Sequence, residues 1–137
     1  MSRSGSWGVP AGLPDPSGPY SLASATPEGL IHTAGLVALD AAGTVVGKDD
    51  AAAQTREIFA QARTILCAAG AALADVVFAH VFVSDMRHYE AINAAYREAF
   101  AETGRPLPPR YCIRADLVKD SCSSRSPSSP GRAAERC

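Results

Sequence analysis

Residues 75–83 read Asp-Val-Val-Phe-Ala-His-Val-Phe-Val, and their β-branched and aromatic side chains fall on both faces of an extended chain. A strand of this kind has to be covered on both sides. The helices that the sequence offers are apolar on one stripe only. In the first, Asp49 and Asp50 provide an N-cap and favourable charge at a helix start. Ile58, Ala62, Ile65, Leu66 and Ala69 then repeat at helical spacing, and Gly70 is the expected stop. In the second, Ser84 and Asp85 are the expected cap, with Tyr89, Ile92, Tyr96 and Phe100 as the apolar face. Two one-striped helices packed on one face of a mixed, mainly antiparallel sheet are the economical solution, so the expected fold class is α+β. The other sheet face is left to be buried between subunits.

The remaining strands are shorter. Residues 20–25 and 30–39 are strand-like and flank the turn Pro27-Glu28-Gly29. The run over 30–39 is apolar on both faces. A turn at 40–43 leads to a short edge piece over 44–46, and a Pro-rich loop over 104–109 precedes a strand over 110–118. An irregular lead-in over 1–17, rich in Gly, Pro and Ser, closes at Gly18-Pro19. A chain of 137 residues is too short for two independent cores, so residues 1–120 are expected to form one domain. Composition changes after Asp120: residues 121–137 hold six serines, three arginines and two prolines, with alanine the only aliphatic. That segment buries no useful apolar face and is expected to be a disordered tail.

Several classes of partner are excluded by composition. The formal net charge of −1 gives no general attraction to nucleic acid or to anionic membranes. No apolar run approaches the roughly 18–20 residues of a spanning helix. The first residues lack the charged-then-apolar order of a signal peptide, and a cytoplasmic location is expected. The four cysteines form no CxxC pair, and neither they nor the three histidines have zinc-like spacing, so no metal is expected.

Seven short pieces occur in order along the chain: Gly18-Pro19-Tyr20-Ser21, Ile31-His32-Thr33-Ala34-Gly35, Ala53-Gln54-Thr55-Arg56, Asp75-Val76-Val77, Val81-Phe82-Val83-Ser84-Asp85-Met86, Asn93-Ala94-Ala95-Tyr96 and Pro109-Arg110-Tyr111-Cys112. Together they resemble the RidA/YjgF family over roughly residues 17–120. The resemblance implies a chorismate-mutase-like α+β fold assembled as a homotrimer with clefts between subunits. It implies hydrolysis of reactive enamines or imines, of the 2-aminoacrylate or 2-iminopropanoate type, to a keto acid and ammonia. It also implies that neither a metal nor an organic cofactor takes part. Arg110 is then the catalytic anchor for the carboxylate of an imino or enamino acid. Tyr20 lines the cleft, and the strand backbone near Cys112 contacts the substrate.

The chemistry makes sense of Arg110. A 2-imino acid carries a carboxylate next to an electrophilic C=N carbon. A planar guanidinium holds that carboxylate through two parallel hydrogen bonds, fixing orientation as well as charge. Lysine would hold the charge without the geometry. Alone, Arg110 would be an exposed strand-end arginine in a surface pair; the motif around it reverses that expectation. Cys112 has no base placed beside it and is expected to be a small strand residue rather than a nucleophile. His80, among Val76, Phe78 and Phe82, is expected to be an interior histidine. Tyr89 and Tyr96 are expected in the helix core, and Gln54 and Arg56 on a solvated helix face.

One stretch departs from the family pattern. After the Arg110 strand the family continues with a last strand of the type Leu-Val-Glu-Ile-Glu-Ala, whose glutamate is implied to orient the hydrolytic water. Residues 121–128 here read Ser-Cys-Ser-Ser-Arg-Ser-Pro-Ser, without strand pattern or glutamate. The final strand is therefore expected to be lost, which would leave unpaired backbone groups within the sheet. One choice of codons for residues 122–128, read in another frame, gives Leu-Val-Glu-Ile-Ala-Phe, so a frameshift near residues 119–122 is the expected origin. Two other functions fit less of the sequence. A non-catalytic small-molecule-binding or chaperone-like trimer would keep the Arg110 cleft without turnover. An endoribonuclease would call for a basic, aromatic-studded surface, which the balanced charge does not provide.

Overall fold

Asp50 sets the start of the first helix in the computed structural model, which describes residues 5–6, 9–116 and 132–136. Its carboxylate accepts a hydrogen bond from the Ala53 N–H at 2.9 Å, satisfying one of the donors that a helix N-terminus leaves free. Helix α1 (Ala51–Ala68) follows, and Gly70 ends it with φ +80°, a left-handed conformation that glycine adopts without strain. Its buried stripe includes Ile58, Phe59, Ala62, Ile65 and Leu66. Gln54 belongs to the same stripe and is only 1% exposed, which corrects its expected place on a solvated face. Gly47 packs closely over it, since a Cβ there would stand 3.3 Å from Gln54 Cγ. Arg56 does face solvent, paired with Glu98 at 3.0 Å.

Strand β4 (Phe78–Val83) alternates strictly. Ala79, Val81 and Val83 are buried against the helices, while Phe78, His80 and Phe82 lie half-buried on the other face. The strand starts later than the expected residue 75. Residues Leu73–Asp75 instead form a 3-10 turn, because the Asp75 carboxylate accepts from the Ala72 N–H at 2.9 Å. Asp85 likewise caps a short turn, accepting from the Arg87 N–H at 2.8 Å, and helix α2 (Tyr89–Ala101) begins after it. Strand β5 (Arg110–Arg114) runs parallel to β4, with Ala79 opposite Arg110 and Val81 opposite Cys112. Parallel neighbours need a crossover, which α2 and the Pro-rich loop provide.

The two helices lock together through Phe59, whose ring meets those of Tyr96 and Phe100 edge-on at 5.4 Å each. The strand expected over 30–39 is shorter. Strand β3 (Ile31–Thr33) pairs with β2 (Ala23–Ala25), and the chain then leaves the ladder. The Gln61 side-chain amide donates to the carbonyls of Val37 and Leu39 at 2.9 Å each, replacing the strand partners they would otherwise need. A two-residue strand, β1 (Gly5–Ser6), flanks β2.

The expectation of a missing last strand is corrected. Strand β6 (Arg132–Arg136), drawn from the expected tail, lies between β3 and β4 and is antiparallel to both, giving the order β1-β2-β3-β6-β4-β5. The physical reason is backbone satisfaction. β3 and β4 each present a row of N–H and C=O groups toward this slot, and a main chain of almost any composition pairs with them. In this register Ala79 has Arg110 across one edge and Glu135 across the other. The rest of the expected tail, 121–131 and 137, lies outside the described residues, as does the segment 119–122 of the expected frameshift.

If β6 completes the sheet, a chain ending at residue 131 should unfold at least about 10 °C lower, since several ladder hydrogen bonds of about 1 kcal/mol each are removed. Thermal unfolding followed by circular dichroism checks this; an unchanged melt would assign the slot to another segment.

Candidate active site around Arg110

Pro108 and Pro109 have no N–H to offer a ladder, so β5 starts at Arg110. The register opposite Ala79 turns the Arg110 side chain to the helix-covered side of the sheet. There α2 receives it. Tyr89, Asn93 and Tyr96 are spaced four and three apart, which places them on one helix face. Arg110 Nη2 donates to Asn93 Oδ1 and, at 3.5 Å, to Tyr89 Oη. Its guanidinium carbon stands 4.6 Å from the centre of the Tyr96 ring and 5.8 Å from that of Tyr89. Asn93 is 8% exposed and Tyr96 4%, so a buried wall fixes the plane of the cation.

Every partner of Arg110 among the described residues is neutral, and none is a carboxylate. These contacts orient the positive charge, and none of them is the surface ion pair that an isolated strand-end arginine would make. The backbone adds a second feature. Pro109 O accepts from the Ala79 N–H at 3.1 Å, and the Ala115 N–H donates to Val83 O at 2.9 Å. In a parallel ladder alternate residues bond to the same neighbour. Odd-numbered residues of β5 thus face β4, and the N–H groups of Arg110, Cys112 and Arg114 point to the outer edge of the described sheet. A guanidinium and outward-pointing amides on one edge are the kinds of donor that can hold an anion.

The Cys112 side chain takes a different part. It packs against the core cluster formed with β4 and the helices. Burial pushes its thiol pKa up, and the nearby Arg110 charge only partly offsets this. The group stays a thiol at neutral pH, which argues against a nucleophile and fits a small strand residue.

Arg110 and Cys112 come together within one chain; Tyr20 does not join them. It sits just before β2, and β2 and β5 are four strand spacings apart, roughly 19 Å. The Tyr20 ring is 43% exposed, and its hydroxyl meets Ser17 Oγ at 3.2 Å and the Ser17 N–H at 3.3 Å. His80 is corrected from interior to half-exposed. It lies on the open sheet face with Nδ1 2.5 Å from Tyr111 Oη, and its ring is flanked by that of Phe78. Tyr111 and Ile113, paired with His80 and Phe82, extend this face and are 41% and 45% exposed. The partners of Arg110 on α2 were hidden by their periodicity: a stripe of Tyr89, Ile92, Tyr96 and Phe100 reads as core. Asn93 within that stripe is the signal, since a buried amide needs a partner.

Among the described residues no three His, Cys, Asp or Glu side chains gather where a metal ion could be held. No described helix is long and apolar enough to cross a membrane.

A two-helix, mainly antiparallel sheet with an oriented arginine on its edge strand defines a YjgF-like α+β protein. The family described as Endoribonuclease L-PSP matches residues 12–123, and the chain belongs to this family, the RidA/YjgF family. The 3-aminoacrylate deaminase RutC of Acinetobacter baylyi is 40% identical over 111 residues, covering 81% of this chain and 85% of that protein. The solved YjgF gene product of E. coli superposes with a TM-score of 0.78 at 27% identity, over 92% of each chain. E. coli TdcF, solved with bound serine, has the same fold, with a TM-score of 0.78 at 23% identity over 91% of each chain.

Removing the amide that orients the cation should be costly. Asn93→Ala should weaken binding of a small carboxylate such as pyruvate by about tenfold or more, since a hydrogen bond to a charged group contributes about 1.5–3 kcal/mol. Titration calorimetry with a parallel thermal melt checks this; equal affinity in the variant would show that Asn93 does not set the arginine's geometry.

Proposed function

We propose that the chain is a cytoplasmic homotrimeric deaminase that hydrolyses reactive enamine or imine acids to a keto acid and ammonia, with Arg110 holding the substrate carboxylate at a subunit interface. The observation that carries this is the Arg110 guanidinium itself, held in plane by Asn93 and Tyr96 without a carboxylate partner among the described residues. The RutC relative, a 3-aminoacrylate deaminase, supports the same class of substrate.

The residues present account for binding and orientation. The carboxylate lies across the guanidinium, and an outward amide of β5 near Cys112 takes a further oxygen. That fixes the adjacent C=N carbon relative to the sheet edge. Water adds to this carbon, the nitrogen gains protons, and the C–N bond then breaks to release ammonia and leave the keto acid. Much of the gain comes from orientation, which is why the arginine's plane matters more than its charge. Tyr20 is too far from Arg110 within one chain to line the same cleft, and a second copy brings its own Tyr20 to that edge. The open face with Phe78, Phe82, Tyr111 and Ile113 is the apolar surface such an assembly would bury.

A binding-only trimer is the second reading: residues 121–128 hold no glutamate, and the glutamate of the strand that fills the slot is Glu135, outside the family's motif. Hydrolysis of 2-iminopropanoate separates the two. Arg110→Lys should lower kcat/KM about a hundredfold, as misplacement by roughly an ångström does. Mixed assemblies of Arg110→Ala and Tyr20→Ala chains should recover part of the activity that each lacks alone, because some clefts then pair two intact residues. No hydrolysis by the unaltered chain, together with Arg110-dependent binding of pyruvate, would replace the enzyme with the binder.

A further inference from the structure

A guanidinium offers two parallel pairs of N–H groups, Nε with Nη2 and Nη1 with Nη2. Every bidentate grip on a carboxylate therefore uses a proton of Nη2. In Arg110 this is the nitrogen that α2 already occupies, through Asn93 Oδ1 and through Tyr89 Oη at 3.5 Å. The two contacts are unequal. Asn93 is buried, and its contact with Nη2 is close. The Tyr89 contact is long, and Tyr89 sits at the first, partly exposed turn of α2. A carboxylate arriving at Arg110 displaces the weaker of the two.

We propose that Tyr89 is a substrate-binding residue whose hydroxyl exchanges roles. It accepts from Arg110 Nη2 in the structure, and once a carboxylate takes that proton the hydroxyl turns and donates its own to the same carboxylate. The substrate oxygens then have three donors: two from the arginine and one from the tyrosine. The exchange costs little, because a phenol both donates and accepts and its proton rotates to suit. It also favours an anion over a neutral group at this position, since only a carboxylate accepts from all three. The proposal presupposes Arg110 as the carboxylate anchor.

Tyr89→Phe keeps the ring beside the guanidinium and removes only the hydroxyl. Pyruvate binding to the full chain, measured by titration calorimetry, should weaken about tenfold, the size of a hydrogen bond to a charged acceptor. For 2-iminopropanoate hydrolysis, KM should rise by the same factor with kcat within about twofold, as for loss of uniform binding. A residue that merely packs against α2 would lower the melting temperature without this selective rise in Kd and KM. Arg110→Lys, run alongside, separates the two premises. If Arg110→Lys weakens pyruvate binding and Tyr89→Phe does not, the role of Tyr89 is overturned and the anchor stands. If neither variant changes binding, the anchor falls and the proposal falls with it.

Discussion

Strand β4 is the constraint on which the rest depends. It is apolar on both faces and hydrogen-bonded along both edges, so four things must surround it: helices on one side, an apolar surface on the other, and a strand at each edge. The helices satisfy the first requirement through the cluster of Phe59, Leu66, Ile92, Tyr96 and Phe100 under Val81 and Val83. β6 and β5 satisfy the edges from opposite sides. The remaining face, with Phe78, His80, Phe82, Tyr111 and Ile113, is what the isolated chain leaves to solvent.

The site is a consequence of the same arrangement. β5 lies parallel to β4 because α2 carries the chain back, so the helix that makes the crossover also forms the wall beside β5. Arg110 enters that wall as a cation whose partners among the described residues are neutral. An amide oxygen and a ring face orient the charge without cancelling it, whereas a carboxylate neighbour would do both. Two residues along, burial raises the Cys112 thiol pKa and disfavours the thiolate.

Much of this is legible in the sequence, and the failures have physical causes. Both helices follow from their periodicity, because their apolar stripes recur at 3.6 residues and Asp50 and Gly70 are unambiguous ends. The family resemblance singles out Arg110, but not what holds it, since Tyr89 and Tyr96 at core spacing look like packing and only Asn93 betrays a polar contact. Gln54 reads as a surface residue for the same reason in reverse, and polarity alone does not reveal that Gln61 closes the backbone at Val37 and Leu39. The last strand is the largest departure. Side-chain pattern is a poor guide there, because Arg132–Arg136 enters the sheet through main-chain pairing, which composition does not encode.

The central claim is that a substrate carboxylate is gripped across the Arg110 guanidinium, at an edge where a second copy of the chain closes the cleft. A crystal structure of the full chain with pyruvate tests it most directly. The expected result is a carboxylate lying in the guanidinium plane within hydrogen-bond distance of two Arg110 nitrogens, beside the outward amides of β5, with Tyr20 of a neighbouring subunit on the far wall. Pyruvate bound elsewhere, with Arg110 still turned wholly onto Asn93 and Tyr89, would contradict it.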